Sequence, residues 1–193
     1  ALKYMVDMQN KINVMPTPTQ LERVPNADWD LFKSGRLGMI VTGCWSFPDF
    51  TRDCDFNWDA VVEPGNKQKA THFFSNGYVI NKNSKVANEA AKFITYISSN
   101  KKATQIRLDA GWELPPVNDK GIIDQYIKKT PPTNRKAVFK SLDSLVTPRV
   151  ITQYAQLQDI VGKHLDAAAA GTVTPEQALK DMQAECQQKI KLK

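Results

Sequence analysis

The chain has 193 residues, 41% of them hydrophobic and 24% charged, with a formal net charge of +6. That balance suits one or two globular lobes and excludes a disordered chain, and no apolar run approaches the ~20 residues that a membrane-spanning helix needs. The basic residues are scattered among acids, as Lys82, Lys85 and Lys92 are around Glu89, with no arginine cluster interleaved with aromatics, so the surface reads as solvated rather than as a nucleic-acid face.

The first segment, residues 2–13, sets Leu2, Met5, Val6, Gln9 and Ile12 at helical spacing. Because Ala1-Leu2-Lys3-Tyr4 already reads as helix interior, the chain is expected to begin partway through a longer protein, without a signal segment. Met15-Pro16-Thr17-Pro18-Thr19 breaks the pattern. Asn26 is placed to cap a short helix over 27–34 that Gly35 ends. Leu37 to Thr42 is an apolar run expected to be a buried strand, and Gly43 turns it toward a second short helix near Trp45.

Asn57 to Glu63 alternates Trp58, Ala60 and Val62 with more polar neighbours, the period of a half-buried strand. Pro64-Gly65-Asn66-Lys67 is a turn. Phe73 to Lys82 is extended, with Gly77 expected to mark a close backbone approach or a bulge. Ser84 caps a helix whose Ala87, Ala90, Ala91, Ile94 and Ile97 share a face, and a further helix carries Ala103, Ile106 and Ala110 up to Gly111. Trp112 to Val117 is extended ahead of and through its prolines. Three or four helices follow. One carries Ile151, Tyr154, Gln158, Val161, Leu165 and Ala168 and stops at Gly171; the last opens on a Thr174-Pro175-Glu176-Gln177 capping box and is expected to bury Leu179, Met182, Cys186 and Ile190. Many helices with a few short strands give an α/β class, helices packed on a small mixed sheet.

Catalytic signatures are absent: no G-x-S-x-G elbow, phosphate-binding loop, H-E-x-x-H or G-x-G-x-x-G occurs. The two histidines, His72 and His164, read as structural or solvent-facing. Cys44, Cys54 and Cys186 form no C-x-x-C pair; Cys44 and Cys54 either bridge in an oxidising compartment or stand as isolated thiols. Asp53, Asp55, Asn57 and Asp59 mimic a calcium loop but lack its glycine and final glutamate, since Trp58 and Pro64 stand there. No metal, no cofactor and no catalytic residue is therefore expected. A hydrolase would need a carboxylate pair, for which nothing brings Asp53, Asp55 and Glu113 together. Trp45, at a strand-to-helix turn, either stacks on a sugar ring or lies in the core; Trp112 reads as core or cleft, and Trp29 and Trp58 as core.

Taken in order, Asp30-Leu31-Phe32-Lys33-Ser34-Gly35-Arg36-Leu37-Gly38-Met39-Ile40-Val41-Thr42-Gly43-Cys44-Trp45, Glu63-Pro64-Gly65 with Ser75-Asn76-Gly77-Tyr78-Val79-Ile80, Ser84 to Ile94 with Gly111 to Pro115, and Ala170-Gly171 with Thr174 to Leu179 resemble the extracellular solute-binding proteins typified by maltose-binding protein. Gly38 stands where that family has alanine, and Asn76 where it has glycine. The resemblance implies a periplasmic-binding-protein type II-like fold, of which this chain would be mainly the C-terminal lobe: residues 1–77 its first part, 78–109 a segment that packs on the N-terminal lobe, and 110–193 its helical last part. It implies no enzyme but the extracytoplasmic binding component of an ABC importer, free or lipid-anchored, which captures a sugar or oligosaccharide by lobe closure and hands it to the permease. Its partners would be a carbohydrate and that transmembrane permease, with no nucleic acid and no membrane contact except through an anchor or the permease. Carried over by position, Trp45 would stack on sugar, Ser75, Asn76 and Gly77 would reach it from the hinge, and Tyr154 and Gln158 would touch it from a late helix. The alternatives are a non-sugar solute such as a glycerol phosphate ester, with Arg52 and Arg149 as candidate phosphate ligands, or a basic nucleic-acid-binding module.

Overall fold

The computed structural model describes residues 1–73, 75–111, 114, 116–147 and 150–191. Helices run as α1 (Leu2–Asn10), α2 (Pro18–Leu21), α3 (Asp28–Lys33), α4 (Phe47–Asp53), α5 (Ala87–Ser99), α6 (Lys101–Ala110), α7 (Lys120–Lys128), α8 (Lys136–Ser141), α9 (Tyr154–Ala169) and α10 (Pro175–Lys189). Strands β1 (Thr71–His72) and β2 (Leu145–Val146) pair in parallel, Thr71 opposite Leu145 and His72 opposite Val146. The chain divides into two compact units, Ala1–Phe32 with Arg149–Lys193, and Lys33–Pro148.

In the first unit α1, α9 and α10 pack on one another. Leu2, Ala168 and Ala178 are buried together, and Val6, Leu165 and Val173 cover them; two alanines at the contact allow the helices to approach closely. Gly171, at φ +74°, stops α9. Thr174 then accepts the Gln177 backbone N–H at 3.1 Å and Pro175 takes the first turn of α10. The Gln177 side chain does not complete the box; it donates to Asp181 instead. Leu179, expected in the core, is exposed, because the buried Ala178 one residue earlier, about 100° round the helix, sets the facing side. α2 is a helix that the proline run conceals: Thr17 and Gln20 cap each other reciprocally, with Pro18 at the first helical position. The Thr-x-x-Gln spacing carried that signal. Asn26 sits just ahead of α3, where its carbonyl accepts the Trp29 N–H at 3.1 Å and its side-chain amide donates to Asp30.

In the second unit Leu108, Ile122 and Tyr126 form a core that Leu114, Val117 and Phe139 extend. Asn100 caps α6 through the Lys102 and Ala103 N–H groups, and Gly111, left-handed at φ +78°, ends it. Lys129 Nζ then donates to the Leu108 and Asp109 carbonyls, completing the helix end. The inward face of α6 is Ala103, Thr104 and Leu108; Ile106, two residues from the last pair, points away and is exposed. Residues 54–62 alternate half-buried and exposed as a strand would, yet no ladder forms there. The run from Leu37 to Thr42 is likewise not a buried strand: Met39 is 86% exposed, and among the described residues nothing supplies it a hydrogen-bonded neighbour. Around Gly77 nothing lies within reach of a β-carbon, so it marks no close approach. Trp112, Glu113 and Pro115, and with them the extended segment expected there, lie outside the described residues.

Glu185 is the electrostatic hub of the α9–α10 pair. Its carboxylate binds Lys163 at 2.8 Å, Lys189 at 2.7 Å and His164 Nε2 at 2.8 Å. These bonds, those of Lys163 foremost, lower its pKa to about 2 from the ordinary 4.5. A depressed folded pKa contributes stability that is present above the unfolded value and lost as pH falls from 4.5 toward 2. Acid titration followed by circular dichroism is therefore expected to show Glu185→Gln less stable than the parent at pH 7, with the difference closing across that window.

Candidate functional site

Gly43, extended at φ −109° and ψ 172°, leads into a 3₁₀ turn over Cys44–Ser46 that runs directly into α4. The turn is tied from below. Ser46 is buried, and both its hydroxyl (2.8 Å) and its backbone N–H (3.1 Å) donate to the Gly43 carbonyl. Phe47 and Phe50, also buried, each lie with ring centroids 5.7 Å from Trp58. Phe47 and Phe50 take the core positions beneath the turn with the half-buried Trp58 against them, and Trp45 stays 48% exposed. Exposure decides against the core alternative for Trp45, while Trp58 is half-buried against the buried Phe47 and Phe50.

Arg135 lies under the same turn, 4% exposed. Its guanidinium carbon sits 5.1 Å from the Phe47 ring centroid and 5.0 Å from that of Tyr126. Nε donates to the Lys129 carbonyl and Nη2 to the Pro131 carbonyl, each at 3.0 Å. Among the described residues no carboxylate pairs with it, and Nη1 is buried without a hydrogen bond. The Tyr126 hydroxyl is likewise buried; it lies near Arg135 and the Cys44 thiol without the alignment of a hydrogen bond to either. Burial first, and then the nearby thiol, push the Tyr126 pKa upward, so the phenol stays neutral at physiological pH. Asn134 completes the support: its backbone N–H donates to Asp59 at 2.8 Å and its side chain to the Ala60 carbonyl at 2.9 Å, fixing the alternating segment after α4.

Ser75, Asn76 and Gly77 follow β1 in the same unit, all exposed and outside regular structure. Tyr154 and Gln158 belong to the other unit. Tyr154 is half-buried at the start of α9, where the neighbouring Gln153 side chain donates to the Lys189 carbonyl and accepts from the Lys191 N–H; Gln158 is exposed. A shallow groove of about 720 Å³ runs along α5 to the start of α6 past Ala91, Tyr96 and Lys101, and none of the six candidate residues lines it. All three cysteines are free thiols. Asp53 is bound to Arg52 and Lys33, Asp59 to Asn134, and no cluster among the described residues is arranged to hold a metal. Arg52 is occupied by Asp49 and Asp53, which weakens its candidacy as a phosphate ligand; Arg149 lies outside the described residues. Arg135 and Tyr126 were not among the residues singled out from the sequence, where an arginine near a Pro-Pro pair carries no sign of burial.

Residues 1–132 match the bacterial extracellular solute-binding protein family. Among solved structures, an ABC substrate-binding protein from Listeria monocytogenes, in complex with cycloalternan, is 38% identical over 95% of this chain, with a TM-score of 0.88. The chain spans 46% of the length of that protein. Over its length it has the fold of the matched part, the α/β periplasmic-binding architecture expected from the sequence.

Arg135→Ala is expected to lower stability by about 3 kcal/mol, because two carbonyls lose a charged donor and two rings lose the cation beside them. Tyr126→Phe, which removes only an unsatisfied hydroxyl, is expected to stay within about 1 kcal/mol of the parent or to stabilise it. Urea unfolding of both variants checks the contrast.

Proposed function

The chain belongs to the bacterial extracellular solute-binding proteins, and on that footing we propose that it forms the carbohydrate-contacting part of an ABC importer's extracytoplasmic binding protein. The observation that carries this reading is Trp45: a large aromatic held half-exposed on a turn whose own core is filled by Phe47 and Phe50, with Trp58 against them. An indole so placed offers a flat apolar face to the C–H face of a pyranose, a contact that selects shape without chemistry. The Listeria protein was solved with a cyclic oligosaccharide, which supports a saccharide over a phosphate ester, as does the pairing of Arg52 with two carboxylates. Ser75, Asn76 and Gly77 would add short polar and backbone contacts, and Tyr154 and Gln158 further ones from α9. Capture would be reversible: ligand touching both lobes of the whole protein favours their closed arrangement and presents the loaded form to the permease.

Residues 78–109 would pack on the N-terminal lobe of such a protein, leaving 1–77 and 110–193 to the C-terminal one. α5 fits that role, since it buries no residue of its own and exposes Phe93 and Tyr96, while Val79 ahead of it is 90% exposed. Amide exchange is accordingly expected to be faster across 78–99 than in α9 and α10, and to slow when the chain is fused behind the unmatched portion of the Listeria protein.

The binding role is tested by tryptophan fluorescence, titrating cycloalternan, linear oligosaccharides and glycerol phosphate into the chain alone and into that fusion. A saturable sugar response, stronger in the fusion and weakened roughly tenfold or more by Trp45→Ala, is the expected result. A response to glycerol phosphate that survives Trp45→Ala, with none to any sugar, would overturn the carbohydrate reading.

A further inference from the structure

Gly43 is two residues ahead of Trp45, and its backbone angles are ones any residue adopts. What requires glycine there is space. A β-carbon at position 43 would stand 2.0 Å from Cζ3 of the Trp45 indole and 2.3 Å from Cε3 and Cη2, far inside any real contact. The benzo half of the indole thus lies against the Gly43 α-carbon. One of the two parties is fixed: the Gly43 carbonyl is held by the Ser46 hydroxyl and N–H, and Ser46 is buried. The other is a half-exposed side chain with two rotatable bonds. A methyl group at 43 would therefore move the indole and leave the turn in place.

We propose that Gly43 is a positioning residue that sets the orientation of the Trp45 indole, and through it the plane on which a sugar ring stacks. The functional half of this inference rests on Trp45 being the sugar-stacking residue; the orientational half stands on the contact itself. It separates Gly43 from Gly35 and Gly111, which are glycine for their left-handed backbone, and it makes the bare α-carbon beside the indole part of the binding surface.

The test is a double-substitution cycle of Gly43→Ala and Trp45→Ala in the fusion with the unmatched portion of the Listeria protein. Far-ultraviolet circular dichroism and the urea midpoint are expected to stay at parental values in Gly43→Ala, while its near-ultraviolet dichroism and emission maximum change. That spectral change is expected to vanish when Gly43→Ala is introduced into the Trp45→Ala background. Cycloalternan affinity should fall in Gly43→Ala by a factor close to that of Trp45→Ala, roughly tenfold, and the double variant should bind no more weakly than Trp45→Ala alone. A Gly43→Ala spectrum identical to the parent's, or a change that persists without Trp45, overturns the inference. If the parent binds no saccharide while the spectral cycle holds, the sugar-stacking reading falls and the control of the indole by Gly43 is upheld.

Discussion

A guanidinium buried with no acid beside it among the described residues is a costly thing to fold around, and the second unit is arranged to make that possible. Arg135 gives two of its donors to main-chain carbonyls at Lys129 and Pro131 and sets its guanidinium carbon 5.1 Å from the Phe47 ring and 5.0 Å from the Tyr126 ring. One ring belongs to the helix that follows the Trp45 turn, the other to α7, so a single side chain joins the site-bearing segment to the Leu108–Ile122–Tyr126 core. Tyr126 in turn meets Phe139 edge-on, which brings α8 into the same stack. The rigidity of the turn is thus borrowed from elements almost a hundred residues further along the chain.

That base explains the division of labour within the turn. Ser46, Phe47 and Phe50 face inward and are saturated with contacts, and Trp45 is left as the half-exposed residue on a fixed support. In the binding role proposed for Trp45, an indole that need not be ordered on arrival of a ligand would cost less conformational entropy at that moment. Among the described residues, the exposed stretch at Ser75–Gly77 lies outside regular structure and has no comparable underpinning.

Much of this was legible in the residues themselves, and what was legible was local. Gly35, Gly111 and Gly171 end helices because their left-handed backbone is a property of the residue; the short helix after Gly43 and the proline at the start of α10 follow from similar chemistry. The alternation from Asn57 to Glu63 survives as a burial pattern even without a ladder. What failed depended on partners. Met39 and Val41 carry the composition of a buried strand, but burial needs a neighbour, and hydropathy does not say whether one is supplied. Leu179 reads as inward by being apolar, whereas the small Ala178 beside it marks the close contact. Of the candidate site, the position of Trp45 could be read from the turn that presents it. The arginine that steadies that turn could not, because in a chain of net charge +6 one more cation looks like surface.

The parallel pairing of β1 with β2 has a kinetic consequence. It joins residue 71 to residue 145 through strands of two residues each, so few bonds offset the entropy of closing a very long loop. Such a pairing cannot lead folding; it becomes favourable only once α6, α7 and α8 have drawn the intervening chain together. The Thr71–Val146 ladder is therefore a late event, and its amide protons are a natural clock for when the second unit is finished.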